Sequence, residues 1–277
     1  MSDAPQATAE EDAPKPRLVA FIDLLGFKSA LMGADAARQK AILDALREVA
    51  EQNRDFEMNV KEHSDRHQTI TISPSITSFS DNVLISYDLE KLEQGGGPWL
   101  ALMGIRHMAT ALAHRAWGFN CLVRGGVTIG NLYHKGRVAF GPGLVKAYEL
   151  ESEVAFYPRV IVTPAVVQRI VGVAMADGKS TDDRSMFLDT DGYWCLDYMT
   201  GYLEYLGNED DEKSCVARRV WALNRRHEFL KTAHALADAG KGGAAQRWFW
   251  AADRFEKSML SVNAVRFNHD GSPLQFP

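Results

Sequence analysis

Residues 18–27 read LVAFIDLLGF, an apolar run broken by one charge, Asp23, and closed by a glycine turn. Ten residues fall far short of the roughly 20 needed to span a bilayer as a helix. A short apolar run bounded by a turn signal reads as a central strand. A carboxylate inside such a strand costs several kcal/mol unless it is paired, protonated or bound to a metal. The puzzle repeats downstream, where SFSDN places Asp81 directly before the apolar run VLISY.

The surrounding pattern alternates strands and helices. Leu31, Ile42, Leu43, Leu46 and Val49 fall near helical spacing and predict a helix over about 29–53, loosened at Gly33. Residues 69–81 and 82–88 alternate β-branched and polar residues, predicting a hairpin that turns near SFSDN. WLALMGIRHMATALAHRAW (99–117) is an amphipathic helix with Leu102, Ile105, Met108, Ala109 and Leu112 on one stripe. Residues 121–141 read as two strands turning at His134-Lys135-Gly136, and 143–152 as a short helix. PRVIVT is a strand and PAVVQRIVGVAMA a helix. MFLDTDGYWCLDY is a hairpin with Asp-Gly at its turn. Two aromatic-rich helices follow NEDDEKS, read as packing or subunit contact. The expectation is an α+β fold with an antiparallel-rich sheet and helices packed on one face. Its parts are an acidic, disordered tail (1–16), a main domain (17–205) and a C-terminal helical extension (206–277).

Composition narrows the classes. The formal net charge of −5 argues against general binding to a nucleic-acid backbone, which leaves a basic footprint. Cys121, Cys195 and Cys215 are widely spaced with no CxxC, so neither a zinc site nor a disulfide framework is indicated. A reducing cytoplasm is the simplest compartment. No apolar run approaches membrane-spanning length, and the first 16 residues lack the features of a signal peptide.

Taken singly, Asp23 and Asp81 read as turn or helix caps. Taken together they read differently. Asp23 is followed by Leu24, Leu25, Gly26 and Phe27, a glycine turn into a helix start whose amides suit a phosphate. Two carboxylates converging there describe a divalent-metal site that also holds a triphosphate. Two ions about 3.5–4 Å apart would activate an attacking oxygen and steady a leaving group.

FIDLLGF, SFSDNVLIS and VRGGVTIGNLYHKGRVAFGPGLVKAYELES, in that order, resemble the catalytic domains of class III nucleotidyl cyclases. The likeness covers roughly residues 18–165, with Arg124, Gly126, Val127, Gly130, Phe140, Gly141, Ala147, Glu151 and Ser152 in the family's register. It implies that Asp23 and Asp81 hold two metal ions, with a backbone carbonyl from Leu24. It implies that Leu25, Gly26, Phe27 and Lys28 hold phosphates, with Phe21, Thr77, Arg124, Val138 and Lys146 also around the nucleotide. The implied reaction is attack of the ribose 3′-oxygen on the α-phosphorus with release of diphosphate. The implied assembly is a homodimer with active sites at the interface.

Three departures matter. The family's purine readers fall at Thr77 and Val138, and an aliphatic side chain cannot replace a base-reading acceptor. The family's transition-state Asn and Arg fall at Val145 and Glu149, leaving Lys146, Arg124 or Lys135 as alternative cations. The two aspartates are separated by an extra segment around NVKEHSDRHQ. With LLGF and FYPRVIVT, these departures look more like the bacterial pyrimidine cyclases of the Pycsar antiphage system. Those use Mn²⁺ (or Mg²⁺) as homodimers, and their cyclic nucleotide activates a separate effector. The resemblance therefore implies a cytoplasmic uridylate cyclase acting on UTP, with CTP as the alternative substrate. No nucleic-acid or membrane partner is implied. A degenerate, nucleotide-binding module is the alternative of a different class. A diguanylate-cyclase-like enzyme is disfavoured, because SFSDN stands where its GG[D/E]EF hairpin would be.

Several residues carry competing readings. Arg124 serves an ion pair as readily as a phosphate. Tyr133, His134 and Lys135 read as an exposed turn, and His107 and His114 as one polar helix face. WALNRRHEF reads as a solvated face, with a dimer contact or a nucleotide-steadying patch as alternatives.

Overall fold

The central strand is β1 (Lys15–Leu25), whose buried stretch includes Leu18, Val19, Ala20, Ile22 and Leu24. It belongs to a computed structural model that describes residues 13–51, 56–61, 67–94, 97–176, 185–205 and 212–263. The expected N-terminal tail lies mostly outside those residues. After β1 come α1 (Phe27–Met32) and α2 (Ala36–Glu51), then the paired β2 (Phe56–Lys61) and β3 (His67–Ile72). The hairpin β4 (Ser75–Phe79) and β5 (Asn82–Asp88) follows, then α3 (Leu89–Gln94) and α4 (Pro98–Trp117). β6 (Leu122–Lys135), β7 (Val138–Phe140) and α5 (Pro142–Glu149) lead into a π-helical turn, Leu150–Val154. The chain continues through β8 (Val160–Val162), α6 (Pro164–Ala176), β9 (Met186–Leu188), β10 (Trp194–Leu196) and α7 (Tyr198–Tyr205). It closes with α8 (Glu212–Asp238) and α9 (Gly242–Asn263).

The main sheet runs β4-β5-β1-β6-β8-β10-β9, with β7 paired to the far end of β6. Every pairing is antiparallel except β6 with β8. The fold is therefore α+β with a mostly antiparallel sheet. Alternation along β1 sends Leu18, Ala20, Ile22 and Leu24 into the main core, under α4. The expected α4 stripe, Leu102, Ile105, Met108, Ala109 and Leu112, is buried there. Val19 faces the other way and packs with Leu84, Leu132 and Ala147 beneath α5. Helices thus cover both faces, not one, because α5 and the π turn close over the second.

Glycine makes that second layer possible. A Cβ at Gly126 on β6 would lie 2.4 Å from Leu150 Cβ and 2.6 Å from the Ala147 carbonyl. Contacts that short do not occur, so only glycine lets α5 and the π turn rest directly on β6. The result is a helix layer low enough to reach the charged residues of β1 and β6.

Four sequence expectations need correction. The helix expected over 29–53 is two helices, separated around Gly33, whose amide closes α1 by bonding to the Leu31 carbonyl. The β-rich stretch from 69 is likewise split: β3 pairs with β2 in a separate two-stranded sheet, and only β4 pairs with β5. The extra segment between the aspartates therefore lies around this small hairpin. Lastly, α8 and α9 are not an appendage. Ala222, Phe229, Trp248 and Phe255 share one core with α4, and Trp117 meets Phe229 and Phe255 edge-on at 5.4 and 5.7 Å. Arg225 stacks over Trp221 and Arg226 pairs with Glu256, so the run WALNRRHEF is not simply a solvated face.

Candidate active site

Two backbone pairings place the key carboxylates. On β1, Asp23 lies opposite Asn82 of β5 on one side and Arg124 of β6 on the other. The β4–β5 turn is Ser80–Asp81, as the sequence suggested, and the Leu24 amide donates to the Asp81 carbonyl at 3.2 Å. The two aspartates therefore meet at the end of adjacent strands. Asp81 is half-buried and its carboxylate accepts from Asn82 Nδ2 at 3.2 Å. Asp23 is nearly buried, at 9 % exposure.

Arg124 bridges the sheet to the layer above it. Its Nε donates to Asp23 Oδ2 at 3.0 Å and also lies 2.5 Å from Glu151 Oε1 on the π turn. The ion-pair reading of Arg124 is the one the geometry shows. Glu151 is 2 % exposed, and its Oε1 makes no hydrogen bond of good geometry among the described residues. Two carboxyl groups, Asp23 and Glu151, thus share one guanidinium, with the charge of Asp81 close enough to act on both. Burial holds the Asp23 carboxyl above its ordinary range; the Arg124 bond opposes that, and the charge of Asp81 adds to it. Burial likewise pushes Glu151 up to about 7, with Arg124 opposing. A local excess of negative charge that is short of partners suits a hard cation with oxygen ligands. Among the described residues no group of three or more His, Cys, Asp and Glu side chains forms a ready metal cage. Asp23 and Asp81 fit instead a partial shell of the kind that substrate phosphates and water complete for Mg²⁺ or Mn²⁺.

The turn after β1 supplies the next piece. Gly26 sits at φ 93°, a conformation that favours glycine, and no side chain caps the start of α1. Lys28 is exposed beside it, whereas the Phe27 ring is buried in the core, leaving only its backbone for a ligand. Among the described residues only Ser80 and Asn120 combine positive φ with a side chain. One precedes Asp81 and the other packs its carbonyl against Gly26, so both strained positions border this region.

The remaining candidates lie elsewhere. Phe21 is half-buried two residues before Asp23, edge-on to Tyr148 at 5.7 Å. Lys146, Val145 and Glu149 are exposed on α5, and no contact among the described residues joins them to the carboxylates. Thr77 and Val138 flank the β6–β7 turn. Val138 is 56 % exposed, while Thr77 is tied inward. Its hydroxyl donates to the Gly136 carbonyl at 3.1 Å and meets His134 Nε2 at 2.9 Å.

His134 corrects the expectation of an exposed turn, being only 6 % exposed. One proton arrangement satisfies the whole chain of contacts. Arg17 Nε donates to Ser86 Oγ at 2.9 Å, and the Ser86 hydroxyl donates to His134 Nδ1 at 2.8 Å. His134 Nε2–H then donates to Thr77, whose own hydrogen goes to Gly136. Burial, helped by the charge of Arg17, lowers the His134 pKa to about 4, so the ring is neutral. This network has no local sequence signal, since Arg17, Ser86 and His134 come from three different strands. His114 departs from its expected polar face too, lying 6.0–6.3 Å from the Trp117 and Trp221 rings.

Among the described residues, no helix is long and apolar enough to cross a membrane. No protein-family model matches this chain, and no curated protein matches it significantly.

Proposed function

We propose that this chain is a pyrimidine nucleotide cyclase that converts UTP to 3′,5′-cyclic UMP and diphosphate, with CTP as the alternative substrate. The observation that carries the reading is the meeting of Asp23 and Asp81 at adjoining strand ends beside the Gly26 turn. In the reaction the ribose 3′-hydroxyl gives up its proton to water, its oxygen bonds to the α-phosphorus, the bond from that phosphorus to the α–β bridging oxygen breaks, and diphosphate leaves with those electrons. Asp23, Asp81 and the Leu24 carbonyl would hold two Mn²⁺ or Mg²⁺ ions, which when bound acidify the 3′-hydroxyl and offset phosphate charge. The chain's own task is placement. The amides after Gly26, with Lys28, would bind phosphates, and Arg124 would keep the Asp23 carboxylate aimed. Thr77 spends its hydroxyl on Gly136, which leaves this position without the free acceptor or cation of a purine reader. That supports a pyrimidine over a purine without choosing between uracil and cytosine.

A homodimer is part of the proposal. Phe79, Val138, Phe140, Val145 and Tyr148 are 51–79 % exposed on the hairpin end, β7 and α5. Apolar exposure of this kind is what an interface covers. The product would act through a separate cyclic-nucleotide-binding effector in a Pycsar-type antiphage response. One observation favours a second reading, a nucleotide-binding module without turnover: Arg124 already neutralises Asp23 in the way a cation would.

The test is to incubate the purified protein with Mn²⁺ and each of ATP, GTP, CTP and UTP, and to identify products by mass spectrometry. Cyclic UMP or cyclic CMP is expected, and Asp23→Ala and Asp81→Ala should each abolish it while the protein stays folded. A cyclic purine, or turnover surviving in both variants, sinks the proposal. Nucleotide binding and cellular activity that survive Asp81→Ala with no turnover ever seen would favour the binding module.

A further inference from the structure

A cleft of about 570 Å³ lies between the β1–α1 turn and the C-terminal helix hairpin. Its size is that of small-molecule sites. Gly26 forms one wall, Phe119 and Trp248 form apolar walls, and three cations converge on it from separate elements. Arg38 comes from α2, Lys231 from α8, and Lys241 from the α8–α9 turn. Glu228 is the one carboxylate among the lining residues, so the cleft carries a formal excess of two positive charges in a chain of net charge −5.

All three cations are exposed at the cleft. Arg38 Nη2 donates to the Phe119 carbonyl at 3.3 Å, which holds the guanidinium at the cleft. The Lys241 amide bonds the Leu236 carbonyl at 2.8 Å, fixing the turn that carries its side chain. Among the described residues no carboxylate forms an ion pair with Lys231 or Lys241. The cleft also adjoins the carboxylate cluster. The Cys121 thiol, next to Asn120 in the lining, feels the charges of Arg38, Asp81 and Asp23 together.

We propose that this cleft is a polyphosphate site, in which Lys231 and Lys241 of the α8–α9 hairpin, with Arg38 of α2, add positive charge beside the Gly26 turn. The C-terminal helices then have a binding role besides packing. The anion has two sources of the same chemistry: the triphosphate tail of the substrate, or the released diphosphate. Only the choice of source rests on the cyclase reading.

The probe is inorganic pyrophosphate, titrated calorimetrically into the full-length protein with EDTA present, at low and at physiological salt. Wild type should bind, more weakly as salt rises. Lys231→Glu combined with Lys241→Glu should weaken binding at least about tenfold, since two charged partners become repulsive. Lys257→Glu, exposed on α9 and paired with Asp253, should leave it unchanged. Unaltered melting will show that the double variant is folded. Absence of binding in wild type overturns the proposal, as does equal binding by wild type and the double variant. Where turnover is present, a raised KM for UTP at unchanged kcat in the double variant assigns the site to the substrate's tail. Unchanged KM with weakened inhibition by diphosphate assigns it to the product. If no triphosphate is cyclised while pyrophosphate binding behaves as described, the cyclase reading fails and this site stands.

Discussion

Acid should unfold this protein partly through one histidine. His134 is neutral inside the sheet, its Nδ1 accepting from Ser86 and its Nε2 donating to Thr77. Its pKa drops from 6.5 to about 4, chiefly from burial. A depressed histidine pKa means that the unfolded chain binds a proton which the native chain refuses. Stability from this source is therefore full above about pH 6.5 and is lost as pH falls toward 4. Linkage with those two values gives a loss of roughly 2 kcal/mol between pH 7 and pH 5, and ~3.4 kcal/mol once both states are protonated. His134→Gln keeps a donor for Thr77 and has no proton to take up. It should be less stable than wild type at pH 7 by about 1–3 kcal/mol, because Ser86 loses its acceptor. The difference should shrink by roughly 2 kcal/mol at pH 5. Urea denaturation of both proteins at pH 7, 6 and 5 measures this. Using the double difference removes the carboxyls and the other histidines, which titrate in both. Parallel pH profiles for wild type and variant would refute the buried, neutral assignment.

Other outcomes follow from the same geometry. Glu151 is raised by burial to about 7, so its native form holds a proton that the unfolded chain releases from about pH 4.5 upward. That contribution is present below pH 4.5 and lost as pH rises through 7. In metal-free buffer, Glu151→Gln should melt higher than wild type at pH 8 and match it near pH 4.5. Asp197, 4 % exposed, accepts from the Thr200 amide and hydroxyl at 3.1 and 2.6 Å and pairs with Arg254. Asp197→Ala would strand the Arg254 guanidinium and should cost about 3–5 kcal/mol in urea denaturation. Gly126→Ala should destabilise by about 1–3 kcal/mol or more through overpacking. By lifting the π turn, it should also reduce turnover further than Gly243→Ala on α9, where an added Cβ meets nothing within 4 Å and φ is not positive.

What could be read from sequence was whatever local pattern encodes. LVAFIDLL lies in the central strand, as expected of an apolar run broken only by Asp23 and closed by the Gly26 turn. The turn at Ser80–Asp81, the α4 stripe and the Asp191–Gly192 turn were legible for the same reason. The break between α1 and α2 was only half visible, because one glycine weakens a helix without ending it. The burial of His134 was not visible, since it depends on β4 and β5 bringing Thr77 and Ser86 to either side of a turn. Glu151 was seen only as a register position. Its approach to Arg124 depends on the π turn and on Gly126, and helical periodicity carries no sign of either.

The pairing of β1 with both β5 and β6 has a kinetic consequence. Asp23 and Arg124 are 101 positions apart in the chain, yet they are direct cross-strand partners. Loops of that length close late, and contacts of such separation slow folding. No N-terminal fragment ending before β6 contains the carboxylate and its guanidinium together. During synthesis, Asp23 must wait unpaired until the second half of the domain has emerged. The region around it is thus assembled only when β6 joins β1, so a reporter placed there reads out that long-range pairing.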